Sequence, residues 1–197
     1  MTNALLALVI AYLAGAIPFG YLLVKLKTGA DVRGAGSGNI GATNVLRTTG
    51  RAAGIATLLL DIGKGFFSVW LASRLTDQDP TWMSLAALAV MAGHAYPVFL
   101  KFHGGKAVAT FVGAFLYLTP AAMAAVILVF LVVVAWTRYI SLGSIIAAAS
   151  FPLGVWLILL PPVTVFLASV AAGGFIIYRH SSNLQRLHSG SENRLKL

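Results

Sequence analysis

Long apolar runs decide what this chain can fold into. Seven of them, divided by short polar or proline-bearing breaks, take up most of its 197 residues. A helix crossing the hydrocarbon core of a bilayer needs about 20 largely apolar residues. With 59% hydrophobic and only 10% charged residues, a soluble domain of this size has no interior large enough to hide such surface, whereas a bilayer does. The expected fold is an all-α polytopic membrane protein forming a single domain over residues 1–197.

The runs are read as spans from about Ala4 to Val24, Ala52 to Leu71, Trp82 to Leu100, Ala107 to Leu118, Ala121 to Trp136, Ser141 to Leu160 and Val163 to Tyr178. Gly15, Pro18 and Gly20 within the first are tolerable in a membrane helix. The stretch 107–136 is the ambiguous one. As one helix its 30 residues would extend about 45 Å, against a core of about 30 Å, and Thr119-Pro120 offers a break. Two shorter helices make seven spans and one long helix makes six. Charge decides between them. With the N-terminus outside and seven spans, one face receives Lys25, Lys27, Arg33, Arg47, Arg51, Lys101, Lys106, Arg138, Arg179, Arg186, Arg194 and Lys196, which is 12 of the 14 basic residues. The other face holds Arg74, and Lys64 lies within the second span. Because Lys and Arg are retained in the cytoplasm, the basic face and the C-terminus are expected there. The same rule gives the net charge of +9 a topological reading that needs no nucleic acid. No basic residue precedes the first run and no A-x-A site follows it, so an uncleaved first span is expected. The chain has no cysteine, which removes disulfides, thiolate nucleophiles and Cys-based metal sites.

Polar residues concentrate in three segments of that face. The first is GSGNIGATNVLR, Gly36 to Arg47. Gly36, Gly38 and Gly41 match GxGxxG and Asp61 lies 20 residues beyond, but the dinucleotide fingerprint requires a strand and a βαβ unit, and here both flanks are spans. The physics of such a loop still applies. Closely spaced glycines let backbone N–H groups converge on an anion, Ser37, Asn39, Thr43 and Asn44 add neutral donors, and Arg47 offers a planar fork suited to phosphate. A flexible polar connector fits the same composition. The second segment, GHAYPVFLKFHGGKAVAT from Gly93 to Thr110, places Gly104, Gly105 and Lys106 where a helix begins, combining backbone donors with an ammonium. A helix–helix turn with an anchoring lysine fits as well. His94 lies inside a span, where packing or a hydrogen bond is the expected role. In the third, HSSNLQRLHSGSE from His180 to Glu192, His180 and Asn183 share a face of a continuing helix and Arg186 extends it. Asp61 and Lys64, three apart in the second span, are expected to form a structural ion pair.

Five scattered carboxylates, Asp31, Asp61, Asp77, Asp79 and Glu192, make a carboxylate-bound Mg²⁺ centre unexpected, and no serine sits in G-x-S-x-G. The remaining set of cationic and neutral anion-binders beside a greasy body suits a phosphorylated polar substrate meeting a lipid. A transporter of phosphorylated anions is the rival from another class, but alternating access places its site at the midplane. A CDP-alcohol phosphotransferase-like enzyme would require clustered aspartates.

The three segments, in this order, resemble the motifs of the bacterial acyl-phosphate:glycerol-3-phosphate acyltransferase family, and LDIGKG (Leu60–Gly65) resembles a further family segment. The likeness runs over essentially the whole chain. Ala107 stands where glycine is common, and Ser191 rather than Thr precedes Glu192. The resemblance implies acyl transfer from acyl phosphate to glycerol 3-phosphate in the bacterial inner membrane. It implies Ser37, Arg47, Lys106, His180 and Asn183 in the active site, and it associates Gly104 and Gly105 with the donor. The expected partners are the two substrates and the lipid bilayer, with no cofactor, metal, nucleic acid or obligate protein partner. Gly38, Asn39, Thr43, Asn44, Gly104 and Gly105 are the expected substrate-binding positions.

Overall fold

The computed structural model describes residues 1–195, and these are helical with no strand among them. Lys196, counted above on the basic face, lies outside the described residues. Ten α-helices follow one another: α1 Thr2–Ala16, α2 Phe19–Thr28, α3 Ala42–Thr49, α4 Arg51–Leu75, α5 Pro80–Ala95, α6 Val108–Leu118, α7 Pro120–Thr137, α8 Ile140–Leu159, α9 Val163–Arg179 and α10 Ser181–His188. Two compact units result, one from Met1 to Leu118 and one from Thr119 onward.

Five stretches are long and apolar enough to cross a membrane: Thr2–Thr28, Arg51–Leu75, Pro80–Leu100, Pro120–Thr137 and Ile140–Leu159. Val163–Arg179 with Ser181–His188 makes a sixth if that pair, bent by 55°, is one span. α6, with 11 residues, is about 16 Å long and cannot cross a core of about 30 Å unaided. The breaks fall where the chain loses helical hydrogen bonding. Proline has no N–H and disfavours helix in the residue before it; accordingly α6 stops at Leu118 before Thr119-Pro120, and α8 stops at Leu159 before Pro161-Pro162. Asp79 caps α5 through Thr81 N–H at 2.7 Å, with Pro80 in the first turn. Within the first span the helix is interrupted: Pro18 ends α1 at Ala16 and starts α2 at Phe19.

In the first unit, helices meet through small residues, as expected where lipid tails offer no hydrophobic drive and close packing must hold the helices. A Cβ on Gly65 of α4 would strike Thr110 O of α6, and one on Gly113 of α6 would strike Ile62 O of α4. Gly15 of α1 and Gly93 of α5 face Val90 O and Tyr12 O in the same reciprocal manner. Tyr117 OH donates to Ser73 Oγ at 3.1 Å, adding a polar tie between α6 and α4. Beside this bundle, Val24, Val32, Ile40, Val45, Ala53 and Leu100 form a buried cluster with Tyr21 against it. Leu100 belongs to the chain after α5, and Val32, Ile40 and Val45 to the segment around α3, so the first two polar segments lie at one end of this unit. In the second unit α8 packs between α7 and α9, with Phe151, Val155, Met123 and Ile176 buried.

The close approach of α4 and α6 is testable. Gly113→Ala forces a methyl onto a carbonyl and is expected to cost about 1–3 kcal/mol, read as a lower unfolding temperature in detergent. Gly63→Ala, whose Cβ meets nothing within 4 Å, should leave that temperature unchanged or slightly raised.

Candidate active site

The first polar segment is a loop built around one amide. Asn44 sits in the first turn of α3 and is 2% exposed. Its Nδ2 reaches the carbonyls of Asn39 (2.8 Å), Ala35 (3.1 Å) and Val32 (3.3 Å), while Oδ1 accepts the Ser37 N–H at 2.9 Å. Gly36 has φ +59° and a Cβ there would collide with Asn44 Oδ1, so both the backbone conformation and the space require glycine. Asn39 Oδ1 accepts Gly41 N–H at 2.8 Å, and Gly38 N–H donates to Ala35 O at 3.1 Å. The N–H groups of Gly38 and Gly41 and the amide of Asn44 thus bond within the loop and shape it. The side chains of Ser37 and Arg47 are presented at the surface, and Thr43 is half-buried. Arg33, the neighbouring cation, is bound to Asp31 through Nη2 at 2.6 Å.

The second segment is a strap folded back on the helix that precedes it. After α5, Lys101 and Phe102 take left-handed φ of 53° and 63° and turn the chain. Gly104 N–H then donates to Ala95 O and Gly105 N–H to His94 O, each at 3.1 Å. Tyr12 OH of α1 holds the Tyr96 carbonyl at 2.8 Å. Here too the expected free N–H donors are already engaged, and α6 begins two residues after Lys106 rather than at it. What the strap presents is Lys106 itself, half-buried at its end. The predicted ion pair within the second span is present, with Lys64 Nζ 2.8 Å from Asp61 Oδ1.

The third segment belongs to the second unit. His180 stands at the 55° bend between α9 and α10, so the expected continuing helix is corrected to a broken one. Its ring is 3% exposed, and Nδ1 lies 2.8 Å from Ile176 O. A carbonyl only accepts, so Nδ1 carries the hydrogen of this bond. Asn183, also buried, donates through Nδ2 to Glu192 Oε1 at 2.7 Å. The same carboxylate accepts Ser141 Oγ at 2.9 Å and Arg186 Nε at 2.7 Å. Burial pushes the Glu192 carboxyl up, but hydrogen bonds from Arg186, Asn183 and Ser141 outweigh it and hold the group below the usual carboxylate range. Sequence reasoning passed over this role of Glu192; the available signal was a carboxylate, one of five in the whole chain, inside a motif rich in donors. Among the described residues no group of three His, Cys, Asp or Glu side chains could hold a metal ion.

Comparison with known proteins now decides the family. The family model described as glycerol-3-phosphate acyltransferase matches residues 5–190. The chain belongs to the glycerol-3-phosphate acyltransferase family. The Geobacter sulfurreducens protein of that name is 48% identical over 196 residues, covering 100% of both chains. The Thermosynechococcus vestitus protein is 44% identical over 202 residues, covering 97% of this chain and 94% of its own. The crystal structure of PlsY (YgiH), an integral membrane glycerol 3-phosphate acyltransferase, superposes in its glycerol 3-phosphate form with a TM-score of 0.93. It has 41% identity and covers 98% of this chain and 96% of that one. The lysophosphatidic acid form gives 0.90 at 40% identity. Family membership makes this chain an integral membrane enzyme of the acyltransferase class.

Glu192 yields a prediction with a definite sign. A carboxyl whose pKa is lowered on folding adds stability that is fully present above its ordinary value near 4.5 and is lost as pH falls through the lower folded value. The wild type should therefore exceed Glu192→Gln in thermal stability at pH 6–8. The two melting curves should converge as pH drops below about 4.

Proposed function

We propose that this enzyme transfers an acyl group from acyl phosphate to the 1-hydroxyl of sn-glycerol 3-phosphate. The products are lysophosphatidate and inorganic phosphate, in the first step of membrane phospholipid synthesis. The observation that carries the reading is the match, over 98% of this chain, to a PlsY whose structures hold glycerol 3-phosphate and lysophosphatidic acid. The three polar segments supply fitting chemistry. Acyl phosphate is already an activated mixed anhydride, so the reaction calls for neither an enzyme nucleophile nor a cofactor. What it calls for is two phosphates held near one another and their charge balanced.

Arg47 and Lys106 take the phosphate charge, Arg47 as a two-pronged donor and Lys106 as a point charge. Ser37, held in place through its N–H by Asn44, adds a hydroxyl donor, with Gly38, Asn39 and Thr43 around it. The strap that carries Gly104 and Gly105 is associated with the acyl-phosphate donor. His180 orients the glycerol hydroxyl or takes its proton, with Asn183 assisting. A substrate phosphate oxygen is the alternative base.

The whole chain acts as one domain crossing the bacterial inner membrane seven times, α6 being the short crossing. Its N-terminus lies outside, and the three segments face the cytoplasm, where glycerol 3-phosphate is available. The positive-inside distribution supports this orientation.

Purified protein in detergent, given acyl phosphate and glycerol 3-phosphate with EDTA present, is expected to release lysophosphatidate and phosphate. Acyl-CoA in place of acyl phosphate should give no product. With both substrates saturating, His180→Gln should lower kcat about 100-fold or more if His180 is the base; retention of most of kcat would leave the base role to a substrate phosphate. Topology is checked separately. The natural chain has no cysteine, so a single cysteine at Asn3 should react with an impermeant maleimide in intact cells, and one at Ser189 only in inverted membrane vesicles.

A further inference from the structure

Three ionisable side chains lie deep among the helices of the first unit and take no part in the chemistry above. Asp61 and Lys64 on α4 and His94 on α5 are 2%, 6% and 4% exposed. Lys64 Nζ, besides its 2.8 Å contact with Asp61 Oδ1, donates to Ile17 O at 2.9 Å. That carbonyl belongs to the break between α1 and α2, where Pro18 interrupts helical bonding. The Phe19 ring at the start of α2 lies 5.5 Å from the same ammonium. On its other side, Asp61 Oδ1 is 3.5 Å from His94 Nδ1. The far edge of that imidazole closes on the strap: a Cβ on Gly105 would strike its Nε2, Cδ2 and Cε1. The backbone of the same histidine also accepts the Gly105 N–H.

A pair that served only to neutralise itself would require Asp61 and Lys64 alone. The geometry instead continues through a third member whose ring is the wall of the strap and whose carbonyl anchors it. We propose that Lys64, Asp61 and His94 are positioning residues for acyl transfer. The ion pair, fixed to the α1–α2 break, orients the His94 ring; the ring seats Gly105; and the seat of Gly105 places Lys106, the next residue along. The inference rests on the reading that Lys106 holds substrate phosphate. It also assigns Gly105 a reason to lack a side chain that comes from the protein rather than from the ligand.

Two sets of variants test it in the purified full-length enzyme. His94→Asn keeps an amide where Nδ1 faces Asp61 but ends short of Gly105. In the wild-type background Gly105→Ala is expected to lower kcat/KM about 100-fold, the scale of an ångström-level misplacement. Added to His94→Asn it should cost less than about threefold, a large coupling between touching residues. Equal losses in both backgrounds would overturn the proposal and make Gly105 a direct substrate contact. The second set removes both charges together, as Asp61→Asn with Lys64→Met, which leaves no unpaired buried charge. A purely neutralising pair predicts unchanged kinetics; positioning predicts a KM about fivefold or more higher for the substrate whose KM Gly105→Ala raises. An unchanged KM in a folded double variant would count against positioning. Should these variants fail to fold, the milder Lys64→Arg decides: it keeps the charge but alters the contact with Asp61 and Ile17 O, so a raised KM for the substrate that Lys106 binds is expected, and an unchanged KM would overturn the claim. A wild type that makes no lysophosphatidate would instead bring down the functional reading, and with it the role given to Lys106.

Discussion

An ionised carboxylate survives inside a bilayer-spanning bundle only with its charge balanced and its lone pairs occupied. The Asp61–Lys64 pair meets the first condition at 2.8 Å, and Lys64 ties the pair to the rest of the first unit. Lys64 reaches across to Ile17 O, a carbonyl that also accepts the Phe19 N–H at 3.1 Å where α1 breaks at Pro18. The break matters because α2 then carries Lys25 and Lys27 out of the apolar region and ends at Gly29, left-handed with φ 74°. The loop around Asn44 starts from there. Asp61 also meets His94 at 3.5 Å, and from His94 the same order passes to the strap that ends at Lys106.

Polar groups in this protein divide into two populations. Neutral amides and backbone N–H groups are largely consumed internally: Asn44 by four contacts, Asn183 by Glu192, Gly104 and Gly105 by the end of α5. Of the cations, Arg47 lies at the loop surface and Lys106, half-buried, at the strap's end. This division fits a reaction whose donor is already activated. Rigid placement of charge lowers the barrier only if the charges do not reorganise as the transition state forms, and fully satisfied amides are what hold the loops still.

Local regularities were legible in the chain, and contacts between distant residues were not. The seven apolar runs, the breaks at Thr119-Pro120 and Pro161-Pro162, and the Asp61–Lys64 pair all follow from hydrophobic run length, from proline chemistry or from i,i+3 spacing. Each involves a few neighbouring residues. The third partner of that pair, His94, is 33 positions from Asp61, and Ser141 is 51 positions from Glu192. No spacing rule links such residues, because packing rather than chain geometry brings them together. Loop hydrogen bonding is equally hidden from the sequence: a buried N–H finds a partner wherever the chain can supply one, and Gly38, Gly41, Gly104 and Gly105 all find theirs in the chain itself. At His180 the continuing helix failed because the helix closes there through bonds to Ile176 O and Ile177 O and restarts in a new direction.

Ala107 is a non-glycine residue in the left-handed region, with φ +61°. A non-glycine residue in the left-handed region costs roughly 1–2 kcal/mol. Such strain persists only where the surroundings over-determine the backbone. Here they do: the two strap hydrogen bonds fix the chain on one side, Phe111 N–H donates to Ala107 O at 2.7 Å on the other, and the methyl itself is 1% exposed. The requirement at this position is the backbone path from Lys106 into α6, which glycine adopts freely and alanine adopts under constraint. Gly105 differs in kind. Its limit is the space taken by the His94 ring, and no adjustment of φ creates room for a Cβ while that ring stays where Asp61 holds it.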